Sequence, residues 1–489
     1  MLLRDRDLWR ALQCPHWPYW ELFGDPKERR PLTDEKERML MGALAQEAKI
    51  VRVQAPDAHA VRITDPKKGA KRTLALMRKG VSFIYHPVLQ TNEWEARPTL
   101  LQRIEGKSVF GEWQYLAVRI KRTHFLRKED LLLGAFDALV LEAIQGVRPA
   151  RSLQWSGDQD RFEIMIESVV QELQELMATV LRGMEGERPE PIFKKSCLDT
   201  SPWGTLCTAL AESTNDIALI FNVDRRKLEA LRAMGINMVE DVAKADFATV
   251  VGSSPLFTAR SFDLIQKQAK TLLDGSTIIR APFVDPTRGL EIHFDIESYP
   301  ALDCDYLFGF WLVNTKTRRG RAKQFVSRRP SGERAMWKRF VKWLETLPEV
   351  YTVFHYSPYE PERITLLARR HGDTDHPLVQ KFLLSCVDLK DSVRDHVIFP
   401  LRIYSLKRIC NLLGFTWKGE VHDGAESVDV YERWLKEKNI HDLEGICSYN
   451  QEDTIATQIL LAWLRAYAVE ETVYPARTSW TRISSLLSP

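Results

Sequence analysis

Leu290-Glu-Ile-His-Phe-Asp-Ile-Glu297 alternates apolar and polar side chains, which is the pattern of a β-strand with one buried face. Its isoleucines and Phe294 are expected on one face, and Asp295 and Glu297 on the other. Two neighbouring carboxylates repel each other, and a buried pair is unstable unless a proton or a cation lies between them. Carboxylate oxygens are the ligands that Mg²⁺ and Mn²⁺ prefer, so the strand predicts a divalent-metal site. The alternative is an ordinary solvated strand face, because short motifs of this kind are common.

The composition is that of an ordinary globular protein. The chain has 489 residues, of which 44% are apolar and 28% charged, and at about 150 residues per domain this length predicts about three domains. A net charge of +3 gives no chain-wide field for a polyanionic partner. Local basic runs are compatible with a phosphate backbone or simply with solvent. They are Lys67–Arg72, Arg119–His124 and Arg318–Arg321.

The cysteines and the N-terminus predict a cytoplasmic protein. The seven cysteines lack the spacing of a disulfide scaffold, which favours a reducing compartment. The first residues contain no apolar segment of a secretory signal, and no apolar run is long enough to span a membrane. We therefore expect no membrane partner.

The order of the predicted elements favours a multidomain α/β protein. The expected parts are a mixed α/β domain at residues 1–185, a small helical domain at 190–285, a mixed sheet flanked by helices at 288–470, and a C-terminal tail at 471–489. The first boundary falls in Gly183–Pro191, which is rich in glycine, proline and charge, and the second in Pro282–Arg288. Just before the first boundary, Phe162–Arg182 is predicted as one long amphipathic helix.

The middle segment contains a helix, a glycine turn and a second helix. The two helices are predicted at Leu228–Ile236 and Val239–Ala243. This order is that of a helix-hairpin-helix element, which can present backbone amides to a phosphate. A plain helical connector is the alternative, and the sequence favours neither.

The last segment is predicted to form strands followed by alternating helices and strands, which makes a mixed sheet covered by helices. The predicted strands are Leu290–Glu297, Tyr306–Val313, Gln324–Ser327 and Val350–His355. The predicted helices are Gly332–Leu347, Pro361–Arg370, Ser405–Leu413, Val428–Glu437 and Leu443–Ala468. In the last of them Tyr449 and Asp453 are four residues apart and share a face. An ordinary surface pair is the alternative.

Asp295-x-Glu297 on a first strand and Tyr449-x-x-x-Asp453 on a late helix together resemble the DEDD exonucleases. These enzymes are the DnaQ-like branch of the RNase H-like fold, and the resemblance is to the subgroup with tyrosine in its third motif. It implies that Asp295 and Glu297 form the first motif and that Tyr449 and Asp453 form the third.

The second motif departs from the family pattern. The wider family has an aspartate early in the helix after the fourth strand, whereas this chain has His355-Tyr-Ser-Pro-Tyr-Glu360. Glu360 is one methylene longer, which would shift its carboxylate outward. Asp388, in Cys386-Val-Asp-Leu, is the alternative acid for this place.

The resemblance implies a metal-dependent 3′ to 5′ exonuclease. Asp295, Glu297, Glu360 and Asp453 would hold two divalent ions, Mg²⁺ or Mn²⁺, about 4 Å apart around the scissile phosphate. Tyr449 would position the attacking water. The expected reaction is stepwise release of nucleoside monophosphates from a single-stranded 3′ end, and DNA and RNA both stay open as substrates.

A second resemblance covers nearly the whole chain. Four segments are similar to those of RecB-like nucleases in which a PD-(D/E)xK domain precedes a DEDD-type exonuclease domain. Members of that family look similar in having Tyr-Glu at the place of Tyr359-Glu360, which makes this glutamate less anomalous. The segments are His355–Glu360, Val387–Leu389, Tyr404–Lys407 and Tyr449–Asp453.

In the N-terminal domain the same resemblance indicates that the metal-binding carboxylates are missing. A RecB-type site has an aspartate on one strand and Asp/Glu-x-Lys on the next. Here Thr99 and Arg119 stand in the places of the two carboxylates, and only Lys121 is kept. The glutamine and tyrosine of the following helix are replaced by Leu133 and Asp137. We therefore predict an inactive nuclease fold.

Proteins related to this family can hold an iron–sulfur cluster with one early and three later cysteines. Cys14, Cys197 and Cys207 match three of these places, and Thr200 stands at another. Because four thiolates are the usual requirement, we expect buried or incidental cysteines rather than a cluster.

The leading hypothesis is a metal-dependent exonuclease whose inactive N-terminal domain helps to grip nucleic acid through Arg119, Lys121 and Arg122. The rival is a non-catalytic nucleic-acid-binding or scaffolding protein that works with a helicase or repair partner. A third hypothesis, an active endonuclease in the N-terminal half, requires metal ligands that the sequence lacks there.

Overall fold

The computed structural model describes residues 1–31, 44–45, 47–121, 126–156, 161–190, 197, 200–221, 223–314, 319–476, 478 and 480. The chain forms two compact units, Met1–Ser213 and Thr214–Pro489. The finer division into three domains and a tail stays a prediction. No helix in the described ranges combines the length and the apolar character needed to cross a membrane.

In its described residues, the first unit combines helices with two sheets. Its helices are α1 (Asp5–Gln13), α2 (Trp17–Phe23), α3 (Pro66–Arg78), α4 (Lys128–Gln145), α5 (Val170–Met184) and α6 (Gly204–Ser213). Its strands are β1 (Leu3–Arg4), β2 (His59–Ala60), β3 (Phe83–Tyr85), β4 (Leu89–Gln90), β5 (Trp94–Ala96), β6 (Leu100–Ser108), β7 (Gly111–Lys121), β8 (Arg151–Ser156) and β9 (Arg161–Met165).

The larger sheet of this unit has the strand order β2-β3-β6-β7-β8-β9, and the smaller has β1-β5-β4. The strands β3, β6 and β7 are antiparallel neighbours, and β8 runs parallel to β7. The helix α4 connects β7 to β8 and packs on both. It is buried along most of its length, which accounts for its nearly continuous apolar sequence.

The prediction of one helix over Phe162–Arg182 is wrong in its first third. These residues begin as β9, which pairs antiparallel with β8, and α5 begins only at Val170. The strand exists because of its ladder to β8, and such a long-range contact overrides a local helical pattern.

The second unit contains the remaining elements. Its helices are α7 (Arg225–Ala233), α8 (Val239–Lys244), α9 (Phe247–Ser253), α10 (Ala259–Asp274), α11 (Glu333–Leu344), α12 (Tyr359–His371), α13 (Pro377–Leu384), α14 (Leu389–His396), α15 (Leu406–Leu412), α16 (Gly424–Glu437) and α17 (Ile440–Tyr467). Its strands are β10 (Thr277–Ile279), β11 (Leu290–Tyr299), β12 (Cys304–Val313), β13 (Gly320–Val326), β14 (Tyr351–His355), β15 (Cys386–Asp388), β16 (Val397–Ile398) and β17 (Thr472–Tyr474).

The central sheet of this unit has the order β13-β12-β11-β14-β15, and a smaller sheet has β16-β10-β17. In the central sheet β13, β12 and β11 are antiparallel, whereas β14 and β15 run parallel to β11. The predicted mixed sheet is therefore present, with β11 in its middle. The predicted tail contributes β17 to the smaller sheet.

The alternation of β11 separates a hydrophobic face from a polar one. Ile292, Phe294 and Ile296 are buried in a cluster with aromatic residues of β12 and α11, and the Phe294 ring stacks on Phe310 with centroids 4.6 Å apart. The long helix α17 packs on β11 and β12. The acidic residues of β11 consequently face α17.

Candidate active site

Three of the predicted acids converge on the polar face of β11. Asp295 and Glu297 lie two residues apart on the strand, and Asp453 is supplied by α17. One carboxylate oxygen of each lies within 4.8 Å of the others. Residues more than 150 positions apart in the sequence thus form a single cluster, because α17 packs against the strand.

Burial and mutual repulsion disfavour the charged form of all three acids. Burial raises the pKa of Asp295 well above its usual value, and the charges of Asp453, Glu297 and Glu360 raise it further. Burial, followed by the charge of Asp453, raises the pKa of Glu297 in the same way. Burial raises the pKa of Asp453 to about 6 against opposing hydrogen bonds from Trp417 and Tyr449. The cluster is therefore short of positive charge, and its all-oxygen ligand set fits a hard divalent cation.

Glu360 lies beside this cluster at the start of α12. It is buried, and its Oε2 lies 3.6 Å from His355 Nδ1, which is beyond normal hydrogen-bond distance. His355 Nδ1 is instead 2.6 Å from the Ser357 carbonyl, and the histidine only partly offsets the rise that burial causes in the pKa of Glu360. It does not belong to the compact group of three, yet its charge raises the pKa of Asp295 and of Glu297. An unsatisfied buried carboxylate oxygen is costly, which supports a cation as its missing partner.

Asp388 has a different environment. It caps α14, with Oδ1 accepting hydrogen bonds from the backbone N–H of Lys390 at 2.8 Å and of Ser357 at 2.9 Å. Ser357 has a φ of +98°, so this turn between β14 and α12 is strained and needs such support. Asp388 thus holds the turn that leads to Glu360, and it lies outside the group of three acids.

Tyr449 lies one helical turn before Asp453 and hydrogen-bonds to it. Burial raises the pKa of Tyr449, and the charges of Asp453 and Glu297 raise it further. The phenol therefore stays protonated at neutral pH and can donate a hydrogen bond at the site.

Residues 292–465 match the family model of the RNase H superfamily. The chain has a C-terminal RNase H-like domain. The matched segment contains every acid described above and indicates a nuclease-type hydrolase that acts on nucleic acid. RNase H-like nucleases generally use divalent metals, which agrees with the ligand set of the acid cluster. No curated protein matches the chain.

The RNase H-like domain also holds Asp295 through residues that the sequence did not single out. Asn450 is fully buried, and its Nδ2 donates a hydrogen bond of 2.6 Å to Asp295 Oδ2. Gly309 is the residue directly opposite Asp295 on β12. A Cβ atom at Gly309 would lie 1.7 Å from Asn450 Oδ1, so only glycine leaves room for this amide. An isolated glycine inside a hydrophobic strand is the signal that reveals such a close approach.

Gly309→Ala is expected to lower nuclease activity about 10- to 100-fold, the usual effect of losing a residue that orients a metal ligand. The added methyl displaces Asn450, and Asp295 loses its hydrogen bond. Gly445→Ala is the matched control, because its Cβ would meet only Val421 Cγ2 at 3.8 Å. Initial rates measured with saturating Mn²⁺ test the prediction, and equal rates for the two variants would contradict it.

Lys407 places a positive charge next to the acids. Its Nζ lies 5.1 Å from the ring centroid of Trp417 and 5.2 Å from that of Tyr449, and its charge lowers the pKa of Glu297 and of Asp453. Trp417 Nε1 donates a hydrogen bond of 2.7 Å to Asp453 Oδ1. One ammonium cannot neutralise the whole cluster, so Lys407 supplements a divalent ion rather than replacing it.

The raised pKa of Asp453 predicts how the metal-free protein responds to pH. The folded state holds this proton up to about pH 6, whereas the unfolded chain releases it near 3.8. Because the folded state binds more protons in that window, this carboxyl makes the free energy of unfolding fall as the pH rises, by about 1 kcal/mol from about pH 5 to about pH 7.

Denaturant unfolding in chelator, with wild type and Asp453→Asn compared at the two pH values, measures what this carboxyl contributes as a member of the coupled acid cluster. The wild type should lose more stability than the variant on going to the higher pH. Added Mn²⁺ should restore the wild type at the higher pH only. A pH response that is the same in both proteins would show that Asp453 titrates normally.

In the first unit, an ion pair lies at the place where the sequence resemblance predicts a degenerate nuclease site. Arg119 Nε and Nη2 donate to the two oxygens of Asp137 at 2.7 and 2.8 Å, and Nη2 also donates to Asp5 at 2.7 Å. Thr99 donates a hydrogen bond of 3.3 Å to Glu47. The guanidinium thus pairs with the carboxylate of Asp137, which is completely buried.

The structure gives less information on Lys121 and Arg122, the other two residues that are predicted to contact nucleic acid. Lys121 Nζ is 3.6 Å from Asp130 and remains partly exposed. Arg122 lies outside the described residues. Contact of these residues with nucleic acid stays a prediction. In the described part of this unit the potential metal ligands that cluster are Cys14, His16 and Cys207, and no acidic group does so.

Proposed function

We propose that the RNase H-like domain is a metal-dependent 3′ to 5′ exonuclease of the DEDD type, acting on single-stranded ends of DNA or RNA. The convergence of Asp295, Glu297 and Asp453, with Tyr449 one helical turn from Asp453, is the observation that carries the proposal. The pattern of first-strand and late-helix acids agrees with this order of motifs.

Asp295, Glu297, Asp453 and the neighbouring Glu360 are the residues that would hold the metal. Bound divalent ions would supply positive charge to the scissile phosphate and lower the pKa of a water. Glu360 has an oxygen free to join the ligand set, and Asp388 keeps the turn before it in place. We therefore assign the second-motif role to Glu360 and a positioning role to Asp388.

The remaining residues orient the reacting groups. Tyr449 would position the attacking water through its phenol oxygen, because its single O–H donates to Asp453 and the oxygen can still accept a hydrogen bond. Asn450 fixes the carboxylate of Asp295. Lys407 contributes charge where negative charge develops on the phosphate, an effect that is large in a site of low dielectric.

For the first unit we propose a degenerate PD-(D/E)xK fold without activity. The antiparallel run β3-β6-β7, followed by α4 and a parallel β8, agrees with that order of elements. The pairing of Arg119 with Asp137 argues against a metal there. For the segment before β10 we propose a helix-hairpin-helix-like aid to binding, supported by α7, a turn at Gly235 with φ +78°, and α8.

Digestion of 5′-labelled single strands of DNA and of RNA, with the 3′ end free or blocked, tests the exonuclease. Wild type with Mn²⁺ should shorten the free strand stepwise and leave the blocked strand intact. Asp453→Asn should be inactive. Glu444→Gln should behave as wild type, because this exposed carboxylate lies on the same helix and its ion-pair partner His441 is itself highly exposed.

Two other results would replace the proposal. If wild type and Asp453→Asn bind the strands equally and neither shortens them, the non-catalytic binding or scaffolding function is correct. If a circular single strand is cut by both proteins, the first unit contains an active endonuclease.

A further inference from the structure

Three buried cysteines and a histidine meet in the first unit, far from the acid cluster in sequence. Cys14 and His16 follow α1, Cys207 lies on α6, and Cys197 precedes that helix. The sulfurs of Cys14 and Cys207 are 3.3 Å apart. A ring nitrogen of His16 lies within 4.8 Å of both sulfurs. Cys197 lies outside this compact group of three, but it hydrogen-bonds to Cys14.

This set does not fit the iron–sulfur cluster that the sequence resemblance raised. Such clusters are usually held by four thiolates on different irons, and the fourth place here is Thr200. Two thiolates bound to one tetrahedral ion, at about 2.3 Å each, are about 3.8 Å apart. The separation of Cys14 and Cys207 is close to that value, so both sulfurs suit a single ion.

His16 has the environment of a metal-binding histidine. The His16 ring is buried. Its Nε2–H donates a hydrogen bond to the carbonyl of Pro189, which leaves Nδ1 with the lone pair. Histidines that bind metals typically donate their other N–H to a backbone carbonyl or a carboxylate in this way.

The cysteines are prepared for binding as well. Cys14 hydrogen-bonds to Cys197 as well as to Cys207, so the three sulfurs lie next to one another. Trp17 and Trp203 pack against the sulfurs and cover them from water. A buried group of sulfur and nitrogen ligands shielded from water suits a closed structural metal site.

We propose that Cys14, His16, Cys197 and Cys207 bind one zinc-type divalent ion as a closed tetrahedral site. Four protein ligands leave no open position, so the ion is structural. It ties the end of α1 to α6, segments nearly 200 residues apart. Because such a site does not exist in the unfolded chain, its binding energy contributes to folding stability.

Elemental analysis of the full chain, purified without chelator, tests the site. We expect about one tightly held zinc per chain, no iron and no visible absorption. Cys207→Ser and His16→Gln should each lose most of this zinc. Cys447→Ser, a half-buried cysteine of the second unit, should keep it. Asp453→Asn should keep it too, which separates this site from the acid cluster.

Cobalt substitution tests the site in the wild-type protein, so the result does not depend on whether a variant folds. After chelation of the wild type, added Co²⁺ should give thiolate charge-transfer bands together with the intense visible bands of tetrahedral coordination. Iron with acid-labile sulfide would overturn the proposal in favour of a cluster. Metal-free protein in which Cys14, Cys197 and Cys207 are free thiols, or in which Cys14 and Cys207 are joined in a disulfide, would overturn it altogether.

Discussion

Asp295→Asn is expected to reduce the nuclease rate at least about 10³-fold, because residues that act as one catalytic unit each cost nearly the whole effect when removed. Asp295 lies at the centre of the cluster, where Asp453, Glu297 and Glu360 all act on its charge. Asparagine keeps its shape and an oxygen to accept the hydrogen bond of Asn450, so the loss reports the missing charge. Single-turnover digestion of a labelled strand in Mn²⁺ measures the rate.

The same variant should be at least as stable as wild type in chelator. Removing one of several like charges relieves repulsion in the metal-free fold. The wild type should gain thermal stability when Mn²⁺ is added, and Asp295→Asn should gain much less. Glu444→Gln controls for loss of a carboxylate elsewhere in the domain. A residual rate within tenfold of wild type would remove Asp295 from the catalytic set.

Arg119→Ala is expected to destabilise the first unit by about 3–5 kcal/mol, the usual cost of breaking a buried ion pair from one side. The carboxylate of Asp137 is completely buried and would lose both hydrogen bonds from the guanidinium. Denaturant unfolding followed by circular dichroism gives the change. Combining the substitution with Asp137→Asn should recover part of the lost stability, because the unpaired buried charge of Asp137 is then absent.

Arg151→Ala is the matched control on the neighbouring strand. Its ion pair with Glu163, at 3.2 Å, is about half exposed on both sides, and such pairs contribute about 0–1 kcal/mol. If Arg119→Ala left the stability unchanged and instead weakened nucleic-acid binding, the structural role would be wrong and the predicted gripping role correct.

Local patterns predicted the elements well where one face is buried. The strand over Leu290–Glu297 and the helix over Val428–Glu437 are both present, because their side-chain periods match the faces that they bury. The helix predicted over Phe162–Arg182 was wrong at its start, where pairing with β8 decides the structure. Periodicity carries no information about a partner strand elsewhere in the chain.

The candidate site was predictable in its acids but not in what surrounds them. Asp295, Glu297 and Asp453 were selected from their spacing, and they do come together. Asn450 lies inside the Tyr449–Asp453 motif, which gives it no role of its own, and Gly309 is marked only as an isolated glycine in a strand. Their importance follows from one contact between α17 and β12, and no local pattern names both partners of that contact.

The sequence by itself determined which carboxylates share a strand face and which residues share a helix face, because these follow from fixed periods of about 2 and 3.6 residues. Only the tertiary structure decided that α17 brings Asp453 to that strand and that His16 lies beside Cys14 and Cys207. It also decided that Arg119 forms an ion pair with Asp137. Those outcomes depend on packing between segments far apart in the chain, where burial sets both the distances and the cost of each charge.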